Sequence, residues 1–168
     1  AVPAALAAAA AKGARGAVLF TAGFAEVGAE GAAMQAELVA TARAHGIRLL
    51  GPNCLGMFNT EVGHTPTFTS GLESGMPLPG RVGLVTQSGA YGTHLLSMAR
   101  DRRIGVKVWV STGNEADVTA PECIEHLVRS DSVDVIGAYM EGVNDREALF
   151  RALAAARAAR KPVVMMKV

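Results

Sequence analysis

Two rhythms of apolar residues run through this chain. Met34, Leu38 and Ala42 recur at i, i+4 and i+8, the spacing of one helix face, and Gly46 follows as a stop. By contrast Val106-Lys107-Val108-Trp109-Val110, Val135-Ile136-Gly137-Ala138-Tyr139-Met140 and Pro162-Val163-Val164-Met165-Met166 are nearly continuous apolar runs, as expected of strands covered on both faces. The early part predicts a helix over about 3–12, a strand at 17–20, a helix over about 31–45 and a strand at 47–50. The later part predicts strands at 82–86, 106–110, 133–140 and 162–167, with helices at 90–101, about 120–129 and 145–159 between them. Pro121 suits the first turn of its helix and Asp145 can cap the next. Regular alternation of strand and helix implies a parallel sheet with right-handed crossovers, an α/β fold.

The stretch Ser70 to Gly80 is rich in Gly, Pro and Ser, which is linker chemistry. It divides the chain into a first unit, 1–69, a linker, 70–80, and a second unit, 81–168. Two strands and two helices make the first unit too small to be an independent α/β domain. The chain opens at Ala1-Val2-Pro3, which reads as the tail of a strand, without Met, and ends at Lys167-Val168 on the end of a strand. A piece of a longer protein is therefore expected.

Composition narrows the function classes. Half of the 168 residues are hydrophobic and 18% are charged, enough to bury a core. A net charge of +1 gives no general attraction to nucleic acid or an anionic membrane, and 5% aromatic residues argue against a base-stacking single-strand binder. Cys54 and Cys123 are far apart and form neither a zinc pattern nor a disulfide framework, so no metal is expected and a cytoplasmic protein is. The alanine-rich opening is too short to span a bilayer.

The chemistry concentrates where strands end. Thr86-Gln87-Ser88-Gly89-Ala90 joins a strand to a helix. A helix start leaves backbone N–H groups unpaired and carries partial positive charge, so Gln87, Ser88, Gly89 and Ala90 make a seat for phosphate or carboxylate. The bland alternative is a Ser-Gly turn that merely caps the helix. The motif is neither a nucleophile elbow nor a Gly-x-Gly-x-x-Gly or Walker loop. Gly51-Pro52-Asn53-Cys54 also follows a strand and reads as a structural turn with a buried thiol; Asn53 can bond backbone or ligand, and Cys54 as a nucleophile has no base nearby in sequence. Phe20 to Glu26, which contains Thr21, Gly23 and Phe24, and the loop Ser111 to Asp117, which contains Gly113 and Asn114, occupy equivalent strand ends. Glu141 ends the strand Val135–Met140, where a carboxylate can orient or ionise a histidine.

In order along the chain, Thr21-Ala22-Gly23-Phe24, Gly51-Pro52-Asn53-Cys54-Leu55-Gly56, Gln87-Ser88-Gly89-Ala90, Gly113-Asn114-Glu115-Ala116-Asp117 and Glu141-Gly142 resemble the NDP-forming acyl-CoA synthetases. That family includes the ADP-forming acetate–CoA ligases, the α subunit of succinyl-CoA synthetase and the pimeloyl-type ligases. The resemblance implies the back half of a CoA-binding Rossmann domain followed by a flavodoxin-like parallel-sheet domain of the succinyl-CoA ligase type. It implies the reaction of a small carboxylic acid, CoA and ATP or another NTP with Mg, giving acyl-CoA, NDP and phosphate through an acyl phosphate and a phosphohistidine. Thr21, Gly23, Phe24, Asn53 and Cys54 would line the CoA arm. Gln87, Ser88, Gly89 and Ala90 would hold the phosphoryl group, and Gly113 and Asn114 are candidates for substrate or phosphate. Glu141 would hold the phosphorylated histidine, and the whole enzyme would be an oligomer.

The departures are informative. The family's glycine-rich CoA loop would lie before Ala1, its Ser-His-Thr-Gly histidine after Val168, and its nucleotide-grasping domain elsewhere. Gly63-His64-Thr65-Pro66 copies that histidine context poorly. The isolated chain is expected to be inactive. Two other readings remain open at this point. One is a flavin-binding electron-transfer module. The other is a non-catalytic CoA-binding regulatory module, as in an acetyltransferase fusion.

Overall fold

The structure, a computed structural model, describes residues 2–168. Helix α1 (Val2–Ala11), strand β1 (Gly16–Val18), helix α2 (Ala29–Ala44) and strand β2 (Arg48–Leu50) form the first layer, with β1 and β2 parallel. Leu6, Leu38, Ala42, Ile47 and Leu49 are its buried core. Val2 and Pro3 belong to α1, not to the tail of a strand, as proline tolerates a first helical turn where its missing N–H is not needed. Met34 is half exposed, so the buried face of α2 runs through Leu38 and Ala42 without it.

The larger sheet is built from β3 (Gly56–Asn59), β4 (Val82–Thr86), β5 (Val106–Ser111), β6 (Val135–Met140) and β7 (Val163–Lys167). Their order is β3-β5-β4-β6-β7, with β4 through β7 parallel. Helix α3 (Gly89–Asp101) covers one face, where Leu96 and Ala99 pack with Leu84, Trp109 and Phe58. Helices α4 (Ala120–Arg129) and α5 (Arg146–Ala158) cover the other with Ile124, Leu127, Ala152 and Ala156. Two-sided cover explains the continuous apolar runs of β5 and β6. Asp145 caps α5, its Oδ1 accepting from the Ala148 N–H at 2.8 Å.

Strand β3 was not predicted. It lies in the segment assigned to the first unit, yet pairs antiparallel with β5, Phe58 opposite Trp109, with their rings stacked 5.9 Å apart. The sheet is therefore mixed, and its hydrogen bonding crosses the expected boundary at residue 69. Four residues between glycine-rich turns carry too little alternation to stand out, and the partner that defines them is about 50 residues away in sequence. The Ser70–Gly80 stretch is also packed: Gly71 is buried, and the Val106 N–H donates to Leu78 O at 2.8 Å.

The two layers are clamped together. The Arg48 guanidinium pairs bidentately with Glu122 at 2.9 Å, and its Nε donates to Asp117 at 2.8 Å. Asp117 also accepts from the Leu49 N–H at 2.9 Å. Burial alone would raise the Asp117 pKa, but the bonds from Arg48 and Leu49 win and hold it below the usual range. Glu26 behaves alike: slight burial opposes, yet bonds from Asn114 and the Gly23 and Phe24 N–H groups bring it from 4.5 to about 2. A carboxylate depressed in the folded state contributes stability above its unfolded pKa and loses it as pH falls through the folded value. Stability should therefore decline from about pH 4.5 toward 2. Urea midpoints measured down that range should show the decline, and Glu26→Gln with Asp117→Asn should flatten it.

Candidate functional site at the strand ends

The order β5-β4-β6-β7 places the first strand of the parallel set between the second and the third. Chain direction across the sheet reverses there, and open α/β sheets bind ligands in the crevice beyond such a point. Gln87 and Ser88 follow β4, and Glu141 follows β6. The ends of β1 and β2 deliver the 20–26 and 51–55 segments to the same edge. The result is a cleft of about 540 Å³ lined in part by Asn53, Cys54, Ser88, Gly89, Asn114 and Glu141. Gln87, Ala90 and Gly113 line it too.

Ser88 is the N-cap of α3, its Oγ accepting from the Tyr91 N–H at 3.3 Å. The N–H groups of Gly89 and Ala90 have no protein partner among the described residues and are free for an anion. Capping leaves room for anion binding, since Ser88 satisfies one orphan donor and leaves others. Gly89 has a second reason to be glycine. A Cβ there would lie 2.7 Å from Leu55 Cγ, so the 51–56 turn packs directly on the helix start. That contact explains why the two motifs occur together.

The other residues expected in the site fall into two groups. Asn53, in the left-handed region at φ 55, donates its amide to Asn114 Oδ1 at 3.2 Å. The Asn114 amide bonds Gln35 Oε1 at 3.0 Å and also Glu26. Cys54 is 2% exposed at the cleft wall, and burial raises its thiol pKa, which disfavours a nucleophilic thiolate. Phe24 does not line the cleft; it packs against the first layer's core, because the chain turns inward after Gly23. Thr21 contributes its carbonyl, which accepts from the Asn53 N–H at 3.0 Å, and the Gly23 N–H is spent on Glu26. Neither is part of the cleft lining.

Phe20 and Phe68 are the aromatic residues that line the cleft. Their rings meet edge to face at 4.9 Å, with Phe68 60% exposed. No sequence signal marked Phe68, which reaches the site from the loop after β3. Half-buried Glu115 was also missed as an individual residue. Its Oε1 accepts from Thr112 Oγ1 and the Ala120 N–H, both at 2.8 Å, and burial raises its pKa. His64 and Cys123 line a separate apolar cavity between β1 and α4, away from this site. Among the described residues no three His, Cys, Asp or Glu side chains cluster as a metal site, and no helix is long and apolar enough to cross a membrane.

Comparison with known proteins identifies the two parts of the chain. Residues 79–168 match the succinyl-CoA ligase like flavodoxin domain, and residues 1–60 match a CoA binding domain. Over 156 residues the chain is 43% identical to acetate–CoA ligase [ADP-forming] I of Archaeoglobus fulgidus, covering 93% of this chain and 22% of that protein. A solved structure from Pyrococcus horikoshii OT3 superposes with a TM-score of 0.88 at 34% identity, covering 99% of this chain and 37% of the other. The dinucleotide forming acetyl-coenzyme A synthetase 1 of Ca. Korarchaeum cryptofilum, solved with phosphate and ADP, gives 0.87 at 30% identity, covering 99% and 35%. The chain spans well under half the length of each of these relatives. It belongs to the succinyl-CoA ligase like flavodoxin domain family, and over nearly its whole length it is similar to part of the ADP-forming acetate–CoA ligases.

Proposed function

We propose that this chain forms part of the CoA and phosphoryl sites of an enzyme joining a small carboxylic acid to CoA at the expense of ATP or another NTP. The observation that carries the reading is the N-terminus of α3, with its free Gly89 and Ala90 N–H groups, sharing one cleft with Glu141. Those donors and the helix dipole are fixed before reaction, so they can stabilise charge on a phosphoryl group as it transfers between acyl phosphate and histidine. Glu141 accepts a hydrogen bond from the ring of that histidine and holds it in line. CoA supplies the thiol that takes the acyl group. Asn53, braced by Asn114 through one hydrogen of its amide, presents the other to the arm, and the Phe20–Phe68 pair gives the arm an apolar wall.

The histidine, the glycine-rich CoA loop and the nucleotide-grasping domain or subunit with its Mg belong, on this reading, to the rest of an oligomeric cytoplasmic enzyme. The flavin alternative finds no support in the cleft, where the two phenyl rings cross at 71° and offer no parallel pair to sandwich a flat ring system. The test uses the full-length protein that contains this chain. Incubated with acetyl-CoA and radiolabelled phosphate, it should acquire an acid-labile, base-stable label on histidine, and the isolated chain should acquire none. An unlabelled full-length protein that still binds CoA would turn the assignment to a regulatory CoA-binding module.

A further inference from the structure

We infer that Gln87 is a positioning residue for Glu141 and not a phosphate ligand, its carboxamide fastening the β6–α5 corner to the end of β4. The inference rests on the reading of Glu141 given above. Gln87 Oε1 accepts from two successive backbone groups, the Glu141 N–H at 2.6 Å and the Gly142 N–H at 2.9 Å. Its Nε2 donates to Gly142 O at 3.0 Å and lies within reach of the Glu115 carboxylate. A carboxamide offers two acceptor sites and two donor hydrogens, and this corner takes both acceptor sites and one of the donor hydrogens.

The orientation of the amide is determined by its surroundings. Turned over, its NH2 would face two N–H donors and its oxygen would face a carbonyl and a carboxylate. Glu115 beside it is itself fixed by Thr112 and the start of α4. From the β7 side, Lys167 Nζ donates to Glu141 O at 3.0 Å. The Glu141 side chain is exposed, so its backbone anchor decides where the carboxylate stands. Small displacements of a group that orients a reacting centre cost about 10²-fold in rate.

A double-mutant cycle in the full-length protein tests this, read in the acyl-CoA-consuming direction with phosphate varied. Gln87→Ala should lower kcat about 10- to 100-fold while leaving KM for phosphate within about twofold. Combined with Glu141→Gln it should lose no more than Glu141→Gln alone, because both act through one carboxylate. Gln87→Met, which fills the same space without polar atoms, should match Gln87→Ala, and it carries the same readout if the alanine variant does not fold. A raised KM for phosphate at unchanged kcat would make Gln87 a direct ligand, and losses that multiply would make it independent of Glu141. Either result overturns the assignment. A wild-type protein that takes no histidine label overturns the functional reading itself, which is a separate outcome.

Discussion

Gly113→Ala is expected to destabilise the protein by about 3 kcal/mol, the largest effect of any single methyl in the site. A Cβ on Gly113 would lie 2.3 Å from Pro52 O and 2.5 Å from Asn53 O. Both obstacles are backbone carbonyls, so no rotamer change removes them. They are held in place, because the Asn114 N–H donates to Pro52 O at 3.0 Å and the Ala116 N–H to Gly51 O at 3.1 Å. The φ of 60° adds a left-handed cost of about 1 kcal/mol for any residue with a Cβ. Gly46→Ala isolates that second term. Its φ is 68°, and nothing lies within 4 Å of the added methyl, so a loss of about 1 kcal/mol is expected there. Urea denaturation of the two variants gives the clash energy by difference. Equal losses would show that the 51–53 and 112–116 loops yield easily, contrary to the packing described. Because these loops carry Asn53 and Asn114, CoA binding should weaken along with stability.

Glu141→Gln should have the opposite profile, with a large loss of activity and a folded protein. In the full-length protein, phosphoryl transfer through histidine should slow by about 10²- to 10³-fold. Glutamine keeps the shape and an acceptor oxygen but lacks the charge that favours a ring N–H pointing at Glu141. The side chain is exposed, and the strand-end anchoring runs through the Glu141 backbone, so the stability change should stay within about 0.5 kcal/mol. Rapid-quench measurement of histidine labelling separates this step from CoA binding. Wild-type labelling rates in Glu141→Gln would remove Glu141 from the mechanism, whatever the steady-state rate did.

Much of the second half was legible before any coordinates. The apolar runs at 106–110 and 135–140 became central strands because both faces of their sheet are covered, which removes the need for polar alternation. Asp145 and Ser88 were readable as caps because capping is a local interaction within three residues. The short strand Gly56–Asn59 escaped notice because its identity depends on pairing with β5. The same holds for Phe24 and Phe20. Both are aromatic and both follow β1, and only the path of the chain after Gly23 sends one to the core and leaves the other on the cleft.

The site divides along the same line. Sequence alone determined that a strand runs into a helix at Gln87-Ser88-Gly89, and hence that free N–H groups and a positive dipole end stand there, because these follow from helix geometry wherever it occurs. Sequence also determined that small and polar turns follow β1, β2 and β5. Only the tertiary structure decided which of those turns share a cleft, since that depends on strand order and on the Arg48–Asp117–Glu122 clamp between residues some 70 positions apart. It also decided what each polar side chain has left to offer. Gln87 reads as a ligand in one dimension, yet in three both acceptor sites and one donor hydrogen of its carboxamide are taken by the corner that carries Glu141. A side chain's capacity to bind is what remains after its neighbours are satisfied, and those neighbours are set by the fold.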